Sequence, residues 1–525
     1  MENQRLLASQ RVPRVLTVAL PSIGNMVFAS IFLILVFGIG NGLLNDGDTG
    51  YHIRTGEEIL KHGRVPAGDI FSAQLPPPKW TAHEWLSEVI LAVVYKYSGL
   101  TGIVVFFAWL LAATHWLLYF ILSRKSSNLI LVVIITCLAT ATSSTHWLAR
   151  PHVFSLLFTI VWHCLLDRFQ HRKCSILLYL PLLMIIWVNL HGGYIFGLLF
   201  IGIYLGGNVL CSMCGSREAS QEYRGKVKTL FFCLILTVIA CGINPRGFEI
   251  LLFPLKLTSD RFLMDHVVEF LSPNFHEPLP FMYMLLATIG TLAFSRAPLN
   301  LVECGLLLLL SYMALYSARY IPLFAVVVAP LLLKSGDSVL GDLPEQGLRF
   351  VRTRSRTLLL IDKKVLGCVW PICVTLLVFG LAIGGSLKFS FDDKRFPVAA
   401  VNFLNREQIT GNMFNNDEFG DYIIFSAWPN YRVFIDGRSD MYGEKLVSAY
   451  LQVANVEPGW RETLARYNIT WVIFNTHSAL TAALDREVDW RAIYTDEVAT
   501  IFLKESPDHA SLLAKYPAVE LTIAK

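Results

Sequence analysis

Residues 20–54 of the chain have the sequence LPSIGNMVFASIFLILVFGIGNGLLNDGDTGYHIR. The first part, 20–43, is apolar and long enough for a membrane helix, which needs about 20 such residues. No small-x-small cleavage site stands out after this run, so we interpret it as a retained helix and not as a cleaved signal peptide. The polar segment Asn45 to Arg54 follows directly, with two acids, a histidine and an arginine. This segment therefore begins at one surface of the membrane.

The composition of the 525-residue chain is that of a membrane protein. Hydrophobic residues make up 54% of it and charged residues only 16%, whereas a soluble globular chain has about 25% charged residues. A soluble enzyme of this length would lack polar surface, and the composition excludes disorder. The net charge of +4 is too small to indicate nucleic-acid binding. A polytopic membrane protein is the remaining class.

About eleven apolar segments are candidates for membrane helices, because each approaches the length that a bilayer requires. They lie near residues 20–43, 100–122, 128–147, 152–167, 175–190, 193–211, 229–243, 279–295, 300–317, 320–333 and 365–387. The segment 84–97 is also apolar, but it contains Glu84, Glu88 and Lys96. We predict that it forms an interfacial helix, and a tilted span is the alternative.

The positions of Lys and Arg predict the orientation in the membrane. With the N-terminus in the cytoplasm, the inner loops hold roughly twice as many of these residues as the outer loops. The densest inner cluster is Arg349, Arg352, Arg354, Arg356, Lys363 and Lys364. An odd number of spans then places the C-terminal part outside the cytoplasm.

The composition changes near residue 388, which divides the chain into two predicted domains. Residues 1–387 are the membrane domain, with the first outer loop at 44–97, and residues 388–525 are an extracytoplasmic domain. In the second domain, short apolar runs at 422–425, 432–435, 470–474 and 499–503 alternate with helical stretches. This pattern is typical of a small α/β domain. The predicted fold class is therefore an α-helical polytopic membrane protein with a C-terminal extracytoplasmic α/β domain.

Asp46, Asp48 and His52 form the densest polar group of the first outer loop. His52 is four residues beyond Asp48, so one helical face would present both. Oxygen and imidazole ligands at this spacing suit a divalent cation, which makes the three residues a candidate metal site. Alternatively, one Asp is the general base for a hydroxyl nucleophile. A structural alternative is that both acids cap the following helix.

The first outer loop ends in Trp80-Thr-Ala-His-Glu-Trp85. His83 and Glu84 are candidates for the same acidic site. The alternative is an interfacial helix that the two tryptophans anchor. The two interpretations are compatible with each other.

Cationic and histidine side chains are predicted at the outer ends of several other helices. They are Arg150, His152, His191, Arg246 and Arg319. A guanidinium group fits a phosphate well, and the three arginines run against the positive-inside trend. The position of any single one of these arginines could be explained by contact with lipid headgroups. Together, the five residues predict a site for an anionic lipid-linked group.

Ionisable residues are almost absent from the middle of the predicted helices, where ion-coupled transporters usually carry them. Chemistry at the outer face is therefore favoured over passage through the membrane. The long outer loop 244–278 is a candidate lid or lipid-facing helix over the site. Its Asp265 and Glu269 are four residues apart, so they could share a helical face with a catalytic role. The alternative, which we favour, is that both are solvated.

The chain resembles the GT-C type of polytopic glycosyltransferase, which takes sugars from polyprenyl-phosphate donors at the outer face of a membrane. The resemblance rests on the first helix, the acid-bearing loop after it, the many further helices and the C-terminal outer domain. Several short strings are also similar to bacterial membrane proteins placed near glycosyltransferase family 39 and the Rgt-like proteins. These strings are Asp48-Thr-Gly-Tyr-His52, Gly63-Arg-Val-Pro66, His83-Glu-Trp85, Asn189-Leu-His-Gly192, Asn244-Pro245, Arg319-Tyr320 and Asp436-Gly-Arg438.

The resemblance implies an inverting sugar transfer in which an Asp of the first loop activates an acceptor hydroxyl. Asp46 or Asp48 would be the base or a ligand for Mg²⁺ or Mn²⁺, and a metal-independent reaction is the alternative. His52, His83 and Glu84 would complete the acidic site, and the five outer cationic and histidine residues would bind the donor phosphate. The motif differs from the paired acids of the best-studied members, so which Asp is the base stays open.

The expected partners are a polyprenyl-phosphate-linked sugar donor, a glycan, lipid or protein acceptor, and membrane lipids. The expected location is the inner (plasma) membrane of a bacterium. Two alternatives stay open: a transporter or flippase of a lipid-linked glycan, which needs a polar path across the membrane, and a non-catalytic assembly protein, in which the loop-one acids are dispensable.

Overall fold

The computed structural model describes residues 14–80, 82–172, 175–214, 217–343, 345–362, 364–365, 367 and 369–519. Residues 14–383 form mainly helices, which we number α1 to α16. They are α1 (Arg14–Ala19), α2 (Ile23–Phe37), α3 (Asp48–His62), α4 (Trp85–Lys125), α5 (Leu129–Ser143), α6 (His152–Arg172), α7 (Tyr179–Leu190), α8 (Ile195–Cys214), α9 (Arg217–Cys241), α10 (Phe253–Ser259), α11 (Arg261–His266), α12 (Pro280–Phe294), α13 (Leu301–Tyr316), α14 (Ile321–Asp342), α15 (Glu345–Asp362) and α16 (Val369–Ile383).

The chain is a membrane protein with many apolar helices. Among the described residues, six helical stretches are long and apolar enough to cross a membrane: Thr17–Phe37, Trp85–Lys125, Leu129–His146, His152–His171, Gly192–Cys214 and Ala318–Asp342. Four shorter apolar helices are Ile176–Leu190, Pro280–Phe294, Leu301–Tyr316 and Val369–Ile383. Each predicted segment overlaps a helix between α2 and α16. The number of spans and the orientation stay predictions.

Gly99 divides the longest helix, α4, into two segments. Its φ of 58° and ψ of −159° are not helical, and glycine adopts such angles without a steric penalty. The predicted helix 84–97 is therefore a separate helical segment, and 100–122 lies in the segment after the break. The first segment packs tightly on α3, because a Cβ at Gly56 would overlap the backbone oxygen of Glu88.

The C-terminal part combines helices with one sheet, as the sequence predicts. Its elements are α17 (Val398–Glu407), β1 (Asn412–Asn415), α18 (Asp417–Ala427), α19 (Ser439–Ala454), α20 (Trp460–Arg466), β2 (Ile469–Asn475), α21 (Ala479–Leu484), β3 (Trp490–Thr495), β4 (Ala499–Lys504) and α22 (Ala510–Lys515). The strand order is β1-β2-β4-β3, with β1 parallel to β2 and the other two pairs antiparallel.

Two of the four apolar runs are not strands of the sheet, although their sequence pattern predicts strands. Residues 422–425 lie in α18, which begins after Asn416, whose side chain accepts a hydrogen bond from the Phe419 amide. The run is continuously apolar because all four of its residues are buried, and such a run does not distinguish a strand from a buried helix. Residues 432–435 are not in the sheet, and Val433 instead forms a parallel bridge with Ser72 of the first loop.

The first loop and the C-terminal part pack into one another through Arg438. The Arg438 side chain is buried and lies 2.8 Å from Asp69 and 2.6 Å from Asp436. Its guanidinium also lies over the rings of Tyr51 and Trp80, at 5.6 and 4.6 Å from their centroids. The Asp436-Gly-Arg438 segment thus docks the C-terminal part on the first loop. The domain boundary at residue 388 stays a prediction.

Candidate active site

Three carboxylates surround the guanidinium of Arg150. Nη1 of Arg150 lies 2.7 Å from Asp46 Oδ2 and 2.5 Å from Glu269 Oε1, and Nη2 pairs with Asp48 Oδ2. Asp46 also accepts a hydrogen bond of 2.8 Å from the Asp48 amide at the start of α3, so part of the predicted capping role is present. The Arg150 side chain is only 12% exposed, so these pairs are shielded from water.

Asp421 of α18 adds a fourth carboxylate to this group. Its oxygens accept hydrogen bonds of 3.1 and 3.2 Å from the Gly437 amide. A Cβ at Gly437 would overlap Asp48 Oδ1 and lie 2.9 Å from Asp421 Oδ2, so both carboxyl groups face this glycine. Burial raises the pKa of both groups well above the ordinary range, and repulsion from Asp48 raises the pKa of Asp421 further. We expect the pair to share one proton near neutral pH.

Glu84 is the centre of a second group, which contains three of the histidines. Its carboxylate lies 3.5 Å from His52 Nε2, 3.5 Å from His83 Nε2 and 3.4 Å from His191 Nε2. Burial raises the pKa of Glu84, but the neighbouring histidines, His83 first, lower it by more. The Glu84 carboxyl group is therefore charged at neutral pH.

His191 has a defined proton position. Burial lowers the pKa of its ring to about 3, so the ring is neutral at pH 7. The Gly193 amide donates a 2.9 Å hydrogen bond to Nδ1 of this ring. The proton of the neutral ring is therefore on Nε2, and that nitrogen faces Glu84. His191 is then a hydrogen-bond donor toward the acidic group.

The other residues predicted to bind phosphate occupy different surroundings. Nε2 of His152 is 3.0 Å from the His146 carbonyl oxygen, and the His152 ring lies 6.4 Å from the His191 ring. Arg319 is 3.8 Å from Glu269 and lies over the Phe270 ring. Arg246 donates a hydrogen bond to the Trp80 carbonyl oxygen.

Asp46, Asp48 and His52 do not fit the predicted metal triad. The two acids contact Arg150, whereas His52 Nδ1 lies 3.3 Å from Glu88 Oε1. The first turn of α3 thus faces Arg150 and the next turn faces the start of α4. Within the described residues, no group of three or more His, Cys, Asp or Glu side chains is arranged to hold a metal ion. The guanidinium of Arg150 instead supplies the positive charge between Asp46 and Asp48.

Three neighbouring cavities lie beside the Glu84 group. An apolar groove of about 480 Å³ is lined by Trp85, Leu86, Ile185, Ile186, Asn189, Ile243, Asn244 and Pro245. A cavity of about 210 Å³ shares Trp85, Asn244 and Pro245 with this groove and also contacts His83. A third cavity, of about 510 Å³, shares Arg246 and Ile250 with the second and is lined by Lys79, Trp80, Lys256 and Asp440. Shared lining residues thus join an apolar groove to a polar cavity.

Sequence reasoning missed three acids of this region. Glu269, predicted to be solvated, is half-buried and pairs with Arg150. Burial raises its pKa, but Arg150 and Arg319 lower it to about 2. Asp421 has a weak signal in the sequence, since it is simply an acid next to an apolar run. Asp440 lines the 510 Å³ cavity. The region therefore contains more carboxylates than the first loop alone supplies.

Solved structures share this architecture. The apo oligosaccharyltransferase of Archaeoglobus fulgidus matches with a TM-score of 0.54 at 11% sequence identity, over 87% of this chain and 69% of that chain. The same enzyme, AglB, in complex with an inhibitory peptide and a dolichol-phosphate matches with a TM-score of 0.53 at 10% identity, over 92% of this chain and 74% of that chain. The chain has the GT-C fold of these enzymes. The fold expected from the sequence resemblance is thereby confirmed.

Sequence comparisons give no further relative. No protein-family model matches the chain, and no curated protein matches its sequence.

A third structure of the archaeal enzyme, a complex with zinc and sulfate, matches with a TM-score of 0.51 at 12% identity, over 86% of this chain and 68% of that chain. At these identities the likeness concerns the fold, so roles must be argued from the side chains of this chain.

Proposed function

We propose that the chain is a membrane glycosyltransferase that transfers a sugar from a polyprenyl-phosphate-linked donor to an acceptor hydroxyl. The observation that carries the proposal is the buried carboxylate group around Arg150, built on the loop that follows the first membrane helix. Buried carboxyl groups with shifted pKa values are typical of acid–base sites. The fold is that of an enzyme crystallised with a dolichol-phosphate, which supports a lipid-linked donor.

The cavities support separate routes for the two substrates. The apolar groove suits a polyprenyl chain, and the 210 Å³ cavity beside it suits a phosphate next to His83 and Arg246. The 510 Å³ cavity combines Lys79 and Lys256 with Asp440 and the Trp80 ring, a lining that suits a polar acceptor. Arg246 lines both the 210 Å³ and the 510 Å³ cavity, so it is our first candidate for binding the donor phosphate.

In the proposed reaction, Asp48 accepts the proton of the acceptor hydroxyl. The acceptor oxygen forms a bond to the anomeric carbon, the bond from that carbon to the phosphate oxygen breaks, and the lipid phosphate leaves with its electron pair. Burial raises the pKa of Asp48 above the ordinary range, and a carboxylate with a raised pKa is a stronger general base than an exposed one. Asp46 is the alternative base.

Arg150 has a different proposed role from the one expected from the sequence. Three carboxylates already accept its hydrogen bonds or ion pairs, so a phosphate would have to displace them. We therefore propose that Arg150 positions the acids, and that Arg246, Arg319, His152 and His191 are the phosphate-binding candidates. His52, His83 and Glu84 stay candidates for the acidic site. No step of this proposal uses a divalent cation.

The test is the activity of Asp48→Asn and Asp46→Asn in membranes supplied with a polyprenyl-linked sugar and a mixture of acceptors. Loss of a general base lowers the rate by about 10²- to 10⁴-fold. We expect Asp48→Asn to fall in this range and Asp46→Asn to lose less, because Asp46 is more exposed.

Asp265→Asn is the matched control, because Asp265 is an exposed acid of the 244–278 segment. It should retain full activity. Full activity of both loop-one variants would contradict the assignment and favour a non-catalytic assembly protein. Thermal unfolding of each variant separates a lost base from a lost fold.

Lipid-linked glycan transport remains the second hypothesis. A polar cavity of about 380 Å³ lies at the other end of the helices, lined among others by Lys125, Asp167, Glu303 and Lys334. It shares no described lining residue with the three cavities near Glu84. This separation of the polar cavities favours transfer over transport.

A further inference from the structure

Helix α15 lies at the end of the helical bundle opposite to the candidate site. The second segment of α4 runs from Gly99 to Lys125, a length of about 39 Å at 1.5 Å per residue. The site adjoins the start of α4, whereas α15 contacts its far end, where Tyr119 donates a 2.9 Å hydrogen bond to Asp362. The apolar helices α14 and α16 flank α15 in the chain, so it lies at a membrane surface.

One face of α15 is fixed to the bundle. Ser355 donates a 2.9 Å hydrogen bond to Asn128 Oδ1 and accepts one from the Ile130 amide. Leu359 is 3% exposed, and Asp362 Oδ1 accepts a hydrogen bond from the Ile23 amide. Ser355, Leu359 and Asp362 recur at the three- and four-residue spacing of a single helical face. This face therefore determines which side of α15 points away from the protein.

The opposite face of α15 is both apolar and cationic. Phe350 is 71% exposed and Leu360 is 61% exposed, while Arg354 and Arg356 are exposed as well. The Arg354 guanidinium lies 5.3 Å from the centroid of the Phe350 ring. No acid occurs between Glu345 and Asp362, and neither arginine forms an ion pair with a described residue.

This combination fits the boundary between lipid headgroups and acyl chains. Exposed apolar side chains at a membrane surface enter the acyl boundary, and adjacent cations attract anionic headgroups. The neighbouring Trp370 is 45% exposed at the start of α16, at the level where tryptophans prefer the interface. If this face of the helix contacted only water, four large apolar side chains would be exposed to it: Phe350, Leu358, Leu360 and Ile361.

We propose that the exposed face of α15 binds the headgroups of anionic phospholipids in the leaflet opposite to the candidate site. Arg354 and Arg356 supply the cationic contacts, and Phe350 and Leu360 enter the acyl boundary. The proposal is independent of the glycosyltransferase activity, because α15 contributes no residue to that site.

The test is lipid binding to the purified full-length chain in detergent, measured by native mass spectrometry. Phosphatidylglycerol and phosphatidylcholine with identical acyl chains are the two probes. We expect the wild type to bind phosphatidylglycerol more tightly. The double variant Arg354→Gln with Arg356→Gln should lose on the order of tenfold of this preference and keep its affinity for phosphatidylcholine.

The matched control is Arg432→Gln with Arg466→Gln, two exposed arginines of the C-terminal part. It removes the same charge and should keep the wild-type preference. Equal loss in both double variants, or no loss in the α15 variant, would overturn the proposal. Full competition by inorganic phosphate would also overturn it, because that result indicates a free-anion site.

Hydrogen exchange of residues 350–361 in nanodiscs gives a second readout that does not depend on a variant. Protection should increase when phosphatidylglycerol replaces part of the phosphatidylcholine. Unchanged exchange would contradict the proposal.

Discussion

The carboxyl groups of Asp48 and Asp421 meet although they come from opposite parts of the chain. Their contact depends on Gly437, because any side chain there would occupy the space of Asp48 Oδ1. The sequence alone indicates Asp48 as a candidate, since it lies in an acid-rich loop next to a membrane helix. Asp421 was not predictable in this role, because nothing local shows that α18 packs against α3.

Asp421→Asn is expected to stabilise the fold at neutral and alkaline pH. Burial raises the pKa of Asp421 in the folded state, so the contribution of this one group to stability is complete at low pH and is lost as the pH rises through the folded pKa. The amide cannot ionise, but it still accepts the Gly437 hydrogen bond. The gain in melting temperature should therefore be larger at pH 8 than at pH 5 in detergent, and a gain independent of pH would contradict the shared-proton interpretation.

At the scale of elements, apolar runs predict where the apolar helices lie, but they predict the ends of these helices poorly. The run 20–43 ends as an α-helix at Phe37, because a glycine-rich 3₁₀ turn, Gly40–Leu44, follows. The structure does not fit a metal site formed by Asp46, Asp48 and His52, for a similar reason. Residue spacing predicts which side chains share a face of a helix, but the neighbouring helices determine what each side chain contacts. Here Arg150 and Glu88 separate Asp48 from His52.

The crossing of α3 and α4 at Gly56 gives a prediction about this packing. A Cβ at Gly56 would overlap the Glu88 backbone oxygen and lie 2.8 Å from Ala92 Cβ. Gly56→Ala should therefore destabilise the fold by about 1–3 kcal/mol, although alanine favours helices. Gly225→Ala, at a helical glycine with open space, is the control and should be neutral or stabilising in thermal unfolding.

At the scale of the whole molecule, a buried ion pair joins the first loop to the C-terminal part. Arg438→Met would leave Asp69 and Asp436 buried without their cation, which costs about 3–5 kcal/mol. We expect faster proteolysis between residues 384 and 395 in this variant. Arg461→Gln breaks a solvent-exposed pair with Glu487, which contributes little to stability, and it should leave the cleavage rate unchanged.

The fold class was predictable from the sequence because it depends on local features, namely the apolar runs. The polar loop next to the first run made Asp46 and Asp48 candidates for the site, and their role stays a proposal. The surroundings of the loop-one acids were not predictable. They depend on Glu269, Asp421 and Arg438, which are distant in sequence from the first loop. Only the packing of the C-terminal part against this loop brings these residues together.

The position of Arg438 has a consequence for how the protein is made. Residues 46–69 leave the ribosome early, whereas Asp421 and Arg438 follow only after at least four fifths of the 525-residue chain has been synthesised. Until then Asp69 has no cation and Asp48 has no carboxyl partner. A nascent chain therefore carries an incomplete site, and the site becomes whole only once the membrane helices have been inserted.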